Sequence, residues 1–363
     1  MRTLFVAAGG GGDALGALLI RRFVAPEEDE TLIGTCAWER LRVDPVPGPR
    51  PSAGFTHLGH VAGTALEVLD RSDTRPPGRS TLPRLVRETK ARVFLIDLDN
   101  GATGVADQLL RVKGALHADR MILVDVGGDA IATGQEQGLL SPMADALMLA
   151  GALRADSSVA LLIAGAGLDG ELQPDEVHRR IRELGGHRVG TVSTADARPL
   201  LRVLRWHPTE GTGLLAAAAL GTRGSVEMRR GNTPVAVTDD STSVWWLAPL
   251  EITQFPIARA CFHTRSLAEA EEATRPFAPA ELEYERMKAH KQQEPTQLSR
   301  DAVIQQAREI AKDSPDATHI TTRRLLERLG VPSATDRAVI DILEDQCQRD
   351  GPLWRLRDLA LLH

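Results

Sequence analysis

Short apolar runs that alternate with helix-like stretches constrain the fold of this chain more than any other feature. Each run has about four to six residues, too few for a buried helix and typical of a strand buried on both faces. The runs lie at Leu4–Ala8, Thr31–Cys36, Val93–Ile96, Met121–Val124 and Val159–Ile163. Helical patterns lie at Ala14–Phe23, Leu82–Thr89, Val105–Ala115, Met143–Leu153 and Pro174–Leu184. This alternation predicts a Rossmann-like α/β fold with a mostly parallel, doubly wound sheet.

A run of glycines follows the first apolar run and precedes the first helix. The loop consists of Gly9, Gly10, Gly11, Gly12 and Asp13. Because glycine has no Cβ, its backbone N–H groups can approach an anion at a helix N-terminus, so we expect this loop to bind phosphate. The GxGxxG pattern is incomplete, since Ala14 stands where its last glycine belongs, and GxxxxGK[ST] is absent. The loop is therefore weak evidence for NAD and none for a P-loop ATPase.

Four of the apolar runs are followed by loops that contain glycine and acidic residues. In a parallel sheet these loops emerge at the carboxyl edge, where ligands bind. Acids gathered there repel one another unless they are protonated, hydrogen-bonded or neutralised by a cation such as Mg²⁺, which would bridge to a substrate phosphate. Besides the glycine loop, the residues expected to bind ligand or phosphate are Asp97, Asp99, Asn100, Gly127, Gly128, Gly165, Gly167 and Glu171.

Three aspartates in these loops, Asp125, Asp129 and Asp169, are the best candidates for catalysis. One of them would bind a metal ion or act as a general base, although no sequence pattern identifies the metal. The alternative interpretation is structural, because aspartates at such positions commonly cap helices or form Asx-turns. The sequence leaves both interpretations open.

Four sequence elements together resemble a prokaryotic family of Rossmann-like α/β proteins classified as a domain of unknown function. They are Ala8–Asp13 with its GGGGD loop, Asp125–Asp129 with its DxGGD loop, Ser141–Asp145 and Gly167–Glu171. The resemblance covers roughly residues 1–270. It implies the same fold and a pocket at these loops, but it supplies no reaction.

The chain is expected to divide into a large core and a smaller C-terminal unit. The core, 1–280, is interrupted by a proline-rich irregular insertion at 43–83, within which Val61–Leu69 has a helical pattern. A charged stretch at 281–297 is predicted to be an exposed helix or linker, and 298–363 a helical accessory domain. The insertion is either a substrate-binding loop or a surface excursion.

Two further strands are predicted towards the end of the core. They lie at Gly224–Met228 and Ser243–Leu247, with Gly231 and Asn232 as a turn between them. We expect these strands to extend the main sheet by an antiparallel edge.

The C-terminal unit has a pattern that resembles a winged helix. Helical patterns at Thr321–Leu329 and Thr335–Arg349 have helix-turn-helix spacing, and Leu353–Leu356 is a candidate wing. The second helix carries more acidic than basic residues, which is the wrong sign for contact with phosphates. We therefore disfavour nucleic acid as a partner. We expect 298–363 to form a homodimer or bind a protein partner, and the core alone to bind the ligand.

A polar turn at Trp206–Gly213 precedes the apolar helix Leu214–Leu220. His207 and Glu210 in this turn are candidate acid–base groups, and Thr212 is a candidate cap for the helix. Capping is the simpler interpretation of the turn.

Composition and motif absences exclude several classes of protein. The 43 Lys and Arg residues against 49 Asp and Glu give a net charge of −6, so no dominant nucleic-acid-binding surface is indicated. Three dispersed cysteines fit a reducing cytoplasm and argue against a disulfide framework. No apolar run reaches the roughly 18 residues of a transmembrane helix, and Leu4–Ala8 is too short for a secretory signal. GxSxG and HExxH are absent, which disfavours serine hydrolases and zinc proteases.

These observations favour a cytoplasmic enzyme that acts on a small polar metabolite, phosphorylated or of nucleotide type, bound at the glycine and acidic loops. Metal-assisted transfer or hydrolysis is the favoured chemistry. One alternative is a nucleotide-sensing regulatory module whose C-terminal unit binds a partner. A second alternative is an NAD-dependent oxidoreductase, which is weakened because no acid ends the second strand and Glu39 is the nearest one.

Overall fold

The structure is a computed structural model, and it describes residues 1–228, 234–278, 281–290, 298–333 and 336–363. The predicted turn at Gly231 and Asn232 and the 291–297 part of the predicted linker lie outside the described residues. Within the described ranges, no helix combines the length and the apolar character needed to cross a membrane.

The strands of the described residues form three sheets. In chain order they are β1 (Thr3–Ala7), β2 (Leu32–Thr35), β3 (Phe55–Thr56), β4 (Gly59–Ala62), β5 (Ala65–Val68), β6 (Asp73–Thr74), β7 (Arg92–Leu95), β8 (Arg120–Val126), β9 (Ala160–Ala164), β10 (His187–Thr191), β11 (Gly224–Glu227), β12 (Val235–Val237), β13 (Ser243–Leu247), β14 (His319–Thr321), β15 (Arg349–Asp350) and β16 (Leu353–Arg355). β3 and β6 form a separate small sheet within the irregular insertion.

The α-helices of the described residues lie mainly between these strands and at the C-terminal end. In chain order they are α1 (Asp13–Val24), α2 (Leu82–Thr89), α3 (Gly101–Ala115), α4 (Met143–Ala155), α5 (Pro174–Glu183), α6 (Thr194–Ala197), α7 (Leu201–Leu204), α8 (Gly211–Ala219), α9 (Pro256–Cys261), α10 (Leu267–Thr274), α11 (Glu281–His290), α12 (Arg300–Lys312), α13 (Thr322–Arg328), α14 (Asp336–Glu344) and α15 (Leu356–Leu359). The first five correspond to the helices predicted from the sequence.

Within the described part of the chain, the main sheet has nine strands in the order β10-β13-β9-β8-β1-β2-β7-β5-β4. Its central strands, β9, β8, β1, β2 and β7, run parallel to their neighbours within this group. β2 and β7 lie on one side of β1, whereas the later strands β8 and β9 lie on the other. The strand order therefore reverses between β1 and β8, and doubly wound sheets bind ligands in the crevice at such a point. The predicted Rossmann-like α/β fold is confirmed.

Both faces of the main sheet are covered by helices, which explains why its parallel strands are mostly apolar. In β1, Leu4 and Val6 belong to one core, whereas Phe5 and Ala7 belong to the other, as the two-residue period of a strand requires. Helices α3, α4 and α9 contribute to the first core, and α1, α2 and α8 to the second. The two cores fix the strands whose carboxyl ends carry the acidic loops.

Antiparallel strands extend the main sheet at both edges. β13 pairs with β9, which confirms the antiparallel extension predicted at Ser243–Leu247. β4 pairs with β5 and β5 with β7, so the predicted helix at Val61–Leu69 is wrong and the segment is part of a hairpin. Gly63, with a φ of 54°, allows the tight turn between β4 and β5. The backbone groups at the edge of β7 form the hydrogen bonds that pair it with β5.

The second sheet joins the core to the C-terminal region. Its order is β12-β11-β14-β16-β15, and β11 pairs in parallel with β14, with Val226 opposite His319. Gly224–Glu227 was predicted to extend the main sheet. It belongs to this second sheet instead, because β14 supplies its partner strand. Helices α12 to α15 surround an apolar cluster that includes the fully buried Trp354. The described part of 298–363 is thus mainly helical, with three short strands.

Candidate functional site

A cleft opens at the carboxyl ends of β1 and β8, where the strand order reverses. The empty volume of this cleft, including its open mouth, is about 870 Å³. The glycine loop at Gly10–Gly12, the loop after β2 and the first turn of α8 contribute to its walls. Arg40 and Arg323 also line it. The acidic lining residues are Asp13, Glu39, Asp129, Asp145, Asp169, Glu171, Glu210, Glu281 and Glu285.

Three aspartates form a compact group at this cleft, here called the triad. One carboxylate oxygen from each of Asp125, Asp129 and Asp145 lies within 4.8 Å of the others. Asp125 is near the end of β8, Asp129 begins the 3₁₀ turn that follows, and Asp145 lies in the first turn of α4. Carboxylate oxygens at this spacing can converge on one hard divalent cation such as Mg²⁺ or Mn²⁺.

Asp125 distinguishes the triad from an ordinary acidic surface. Its side chain is 2% exposed, and its Oδ2 atom has no hydrogen-bond partner among the described residues. Burial and then the charges of Asp13 and Asp169 raise the pKa of Asp125 well above its usual range. Hydrogen bonds from the backbone of Gly128 and Ala130 oppose this increase. Because a buried acceptor without a partner is unfavourable, a proton or a cation at Oδ2 would stabilise this arrangement.

The neighbouring acids experience the same electrostatic conflict. Burial and then the charge of Asp145 raise the pKa of Asp129 well above its usual range. Burial and then the charge of Asp125 do the same to the pKa of Asp145. Burial raises the pKa of Asp13 to about 7, although the Arg40 guanidinium opposes the increase. A divalent cation bound among these carboxylates would oppose the increase in their pKa values, because it favours their charged forms.

Two glycines make room for these carboxylates. A Cβ atom on Gly9 would lie 2.1 Å from Oδ2 of Asp13 and 3.1 Å from Oδ1 of Asp145. A Cβ atom on Gly127 would lie 2.4 Å from Cγ of Asp169. Gly127 also has a φ of 131°, which residues with a Cβ rarely adopt. Close approach of acidic side chains therefore explains glycine at both positions.

The loop after β9 positions part of the cleft through Glu171. Oε2 of Glu171 accepts hydrogen bonds from the amides of Leu140 at 2.8 Å and Ser141 at 3.0 Å. These bonds fix the entry to α4, whose first turn carries Asp145. Oδ1 of Asp169 accepts a hydrogen bond from the amide of Glu171 at 3.1 Å, a contact typical of an Asx-turn. Asp169 also lines the cleft. Its position is therefore compatible both with a structural role in the turn and with contact to a ligand.

The loop after β7 lies apart from this cleft. Asp97, Asp99 and Asn100, which were predicted to bind ligand, are not among the described residues that line it. Asp97 instead accepts hydrogen bonds from the amides of Ser52 at 2.7 Å and Asp99 at 3.0 Å. The physical reason is strand order, since β2 separates β7 from β1.

The predicted glycines after β8 and β9 hold these two loops together. The amide of Gly167 donates a hydrogen bond to the carbonyl of Gly127 at 2.7 Å. Gly128 and Gly165 have φ values of 108° and 61°, which turn the chain beyond each strand. None of these four described glycines lines the cleft, whereas Gly10, Gly11 and Gly12 do.

Several cleft residues were not predicted from the sequence. Asp145 was not a predicted site residue, although its place three residues after Pro142, in the first turn of a helix, was an available signal. Glu281 begins α11, inside the stretch predicted to be an exposed helix or linker. Its Oε2 accepts a hydrogen bond from the amide of Met143 at 3.1 Å, and burial raises the pKa of Glu281 to about 8. Arg40 had no comparable local signal.

The C-terminal region also reaches the cleft, and the expectation that the core alone binds the ligand stays a prediction. Arg323 on α13 lines the cleft and donates a hydrogen bond through Nη2 to Oε2 of Glu210. The hydroxyl of Thr321 donates to Oε1 of Glu210. Glu210, which was a candidate acid–base group, is therefore a buried partner of the C-terminal region.

The other predicted roles in the Trp206–Gly213 turn also differ in the structure. His207 is 5% exposed and does not belong to the described lining of the cleft. Burial and then the charge of Arg84 lower the pKa of His207 to about 3, so its imidazole is neutral near pH 7. Thr212 does not cap α8, because the helix begins after Glu210 and the Thr212 hydroxyl donates to the carbonyl of Gly12 at 3.3 Å.

Most of the chain matches a known protein family. Residues 4–289 match the family described as "Protein of unknown function (DUF1152)". The chain belongs to the DUF1152 family. The resemblance inferred from the sequence is thus confirmed, and the matched region extends from β1 to α11 and includes the triad, whereas Arg323 lies beyond it. No curated protein and no solved structure matches the chain.

Proposed function

We propose that this protein is a divalent-cation-dependent enzyme that acts on a small phosphorylated or nucleotide-type metabolite. The observation that carries the proposal is the unpartnered Oδ2 of Asp125, buried beside Asp129 and Asp145. A cation such as Mg²⁺ held by these carboxylates would satisfy that oxygen and remove the repulsion among them. In a purely structural role Oδ2 would have to be protonated, whereas a bound cation would allow all three aspartates to be charged.

Other parts of the cleft suit a phosphate. Gly10, Gly11 and Gly12 lead into the N-terminus of α1, and Gly211 opens α8, so two helix N-termini border the same space. Arg40 adds a positive charge. A phosphate held there would be within the cleft that contains the triad, and the cation would polarise a phosphoryl oxygen for transfer or hydrolysis.

Asp169 is our choice of general base. It lines the cleft without belonging to the triad, so its carboxylate is not assigned to the cation. A carboxylate in this position would accept a proton from the attacking water or hydroxyl group. We place the reaction in the cytoplasm, because Cys36, Cys261 and Cys347 are all free thiols, as expected in a reducing compartment.

Two other functions make different demands on the cleft. In a nucleotide-sensing module the ligand would be bound without conversion, and the contact of Arg323 with the cleft supports communication with the C-terminal region.

An NAD-dependent oxidoreductase would need an acid for the adenosine ribose. Glu39, the nearest acid after β2, already accepts hydrogen bonds at Oε1 from the amide and the hydroxyl of Thr81, at 2.6 and 2.7 Å. This arrangement weakens the NAD alternative.

The proposal is tested by ligand-dependent thermal stability of the full-length protein. A cation at about 100 times its Kd adds ~2.7 kcal/mol to the free energy of unfolding. We expect Mg²⁺ or Mn²⁺ alone to stabilise the wild type, and nucleotides or sugar phosphates to stabilise it further only when the cation is present. Asp129→Asn should remove both effects, because it removes a charge and one acceptor from the triad.

The matched control is Asp99→Asn, the same change in a strand-end loop outside the cleft, which should respond to cations like the wild type. Release of phosphate or of a cleaved product from the stabilising ligand separates an enzyme from a sensor. If neither cation stabilises the wild type, the proposed function is wrong. Stabilisation by NAD alone would instead favour the oxidoreductase.

A further inference from the structure

We propose that Arg323, contributed by the C-terminal region, binds the anionic group of the ligand and thereby completes the cleft. The inference rests on the proposed function and adds a residue beyond 289, where the match to the DUF1152 family ends. Arg323 lines the same cleft as Asp129 and Asp145 of the triad. The C-terminal region is therefore part of the binding site in addition to any contact it makes with partners.

The guanidinium of Arg323 has hydrogen-bonding capacity that the protein leaves unused. The residue is 9% exposed, and its Nε atom has no hydrogen-bond partner among the described residues. Nη2 donates to Glu210, whereas Oε1 of Glu327 lies 3.6 Å from Nε, too far for a hydrogen bond. Because a buried donor without a partner is unfavourable, an anion that accepts from Nε would be bound preferentially.

Several contacts fix Arg323 at the edge of the cleft. β14 pairs with β11 of the core, and α13 begins directly after β14. The hydroxyl oxygen of Thr321 caps α13 by accepting a hydrogen bond from the amide of Arg324 at 3.1 Å. Glu227 on β11 forms an ion pair with Arg324 at 2.8 Å. Sheet pairing, a helix cap and an ion pair thus hold the first turn of α13 against the core, and Glu210 holds the guanidinium itself.

Glu210 and a bound phosphate would compete for the same guanidinium. A phosphate presents several oxygens to the planar fork of an arginine, and two parallel hydrogen bonds of this kind are stronger than a single one. The carboxylate of Glu210 neutralises Arg323 and repels an incoming anion. Loss of the Arg323 charge should therefore weaken phosphate binding, whereas loss of the Glu210 charge should not weaken it.

The experiment is calorimetric titration of the full-length protein with inorganic phosphate and pyrophosphate, with and without saturating Mn²⁺. We expect Arg323→Gln to weaken pyrophosphate binding by about 10- to 100-fold, the effect of losing charge-assisted hydrogen bonds. Glu210→Gln should bind pyrophosphate at least as tightly as the wild type. The affinity for Mn²⁺ alone should be the same in both variants, because neither residue belongs to the triad.

Two further variants control for folding. Arg308→Gln alters an exposed arginine of α12 that does not belong to the described lining of the cleft, and it should bind pyrophosphate like the wild type. The double variant Glu210→Gln with Arg323→Gln removes both buried charges together, so it leaves no unpaired charge and should show the same loss as Arg323→Gln.

The outcomes separate this inference from the proposed function. Unchanged pyrophosphate affinity in Arg323→Gln, or in the double variant if Arg323→Gln does not fold, would overturn the inference and leave the proposed function standing. Equal losses in the Arg323, Glu210 and Arg308 variants would also overturn it, as would a wild type that binds neither anion. A wild type that fails to bind Mn²⁺ would remove the cation-dependent function, whereas a loss of phosphate binding specific to Arg323 would still support the inference.

Discussion

Replacing Asp125 by asparagine should stabilise the cation-free protein and abolish its response to divalent cations. Asparagine keeps the oxygen that accepts hydrogen bonds from the backbone of Gly128 and Ala130, and it replaces the unpartnered Oδ2 by an amino group. That group is a donor beside the carboxylates of Asp129 and Asp145, so the substitution replaces an unsatisfied acceptor by a donor among acceptors. The same change removes one of three ligands from the proposed cation site.

The size of the gain follows from the spacing of the triad. Two unit charges 4.8 Å apart, the largest separation of the three oxygens, repel by ~3.5 kcal/mol at an effective dielectric constant of about 20. Protonation already relieves part of this repulsion in the cation-free protein, since burial and the neighbouring charges raise the pKa of all three aspartates. We therefore expect the free energy of unfolding to rise by ~1–3 kcal/mol at pH 7.5.

Scanning calorimetry of both proteins in EDTA and in Mn²⁺ measures the effect. An unfolding entropy of about 2.1 cal/mol/K per residue over 363 residues converts the gain into a Tm increase of ~1–4 °C in EDTA. Mn²⁺ at about 100 times its Kd should raise the Tm of the wild type by ~3–4 °C and leave that of Asp125→Asn unchanged.

Asp99→Asn serves again as the control and should follow the wild type in both buffers. The reasoning is refuted if Asp125→Asn is less stable than the wild type in EDTA, because the triad would then not be in electrostatic conflict. It is also refuted if Mn²⁺ stabilises the variant as much as the wild type.

Two further predictions concern Gly9 and His207. Gly9→Ala would place a Cβ 2.1 Å from Oδ2 of Asp13, so we expect a loss of ~1–3 kcal/mol and a weaker stabilisation by Mn²⁺. Gly114→Ala should keep the full Mn²⁺ response, because no described atom beyond its own stretch of helix lies within 4 Å of the added Cβ. Burial lowers the pKa of His207 from about 6.5 in the unfolded chain to about 3 in the folded protein. The unfolded chain therefore binds a proton that the folded protein does not, so the contribution of neutral His207 to the free energy of unfolding is present above pH 6.5 and declines as the pH falls. Denaturant titrations should show the wild type losing ~2 kcal/mol more than His207→Gln between pH 7.5 and pH 5, and equal losses would contradict the assigned burial.

Local sequence was sufficient for most of the core fold. The apolar run at Leu4–Ala8 and its successors predicted strands correctly, because a strand that is buried on both faces of a parallel sheet is apolar at most positions. The helical prediction at Val61–Leu69 failed because pairing with the edge of β7 outweighs a local periodicity. Gly224–Glu227 was correctly predicted as a strand but assigned to the wrong sheet, since its partner, β14, is about ninety residues away along the chain.

By itself the sequence determined that Asp13, Asp125, Asp129 and Asp169 follow parallel strands, and the carboxyl ends of such strands meet at one edge of a sheet. It did not determine which loops become neighbours. Tertiary structure decided this by placing β8 beside β1 and β7 beyond β2, which brings Asp13 to the triad and leaves Asp97 outside the cleft. Asp145 and Arg323 enter the site from helices α4 and α13. Sequence alone did not predict this, because strand order, helix packing and the second sheet depend on contacts between distant segments that no local pattern encodes.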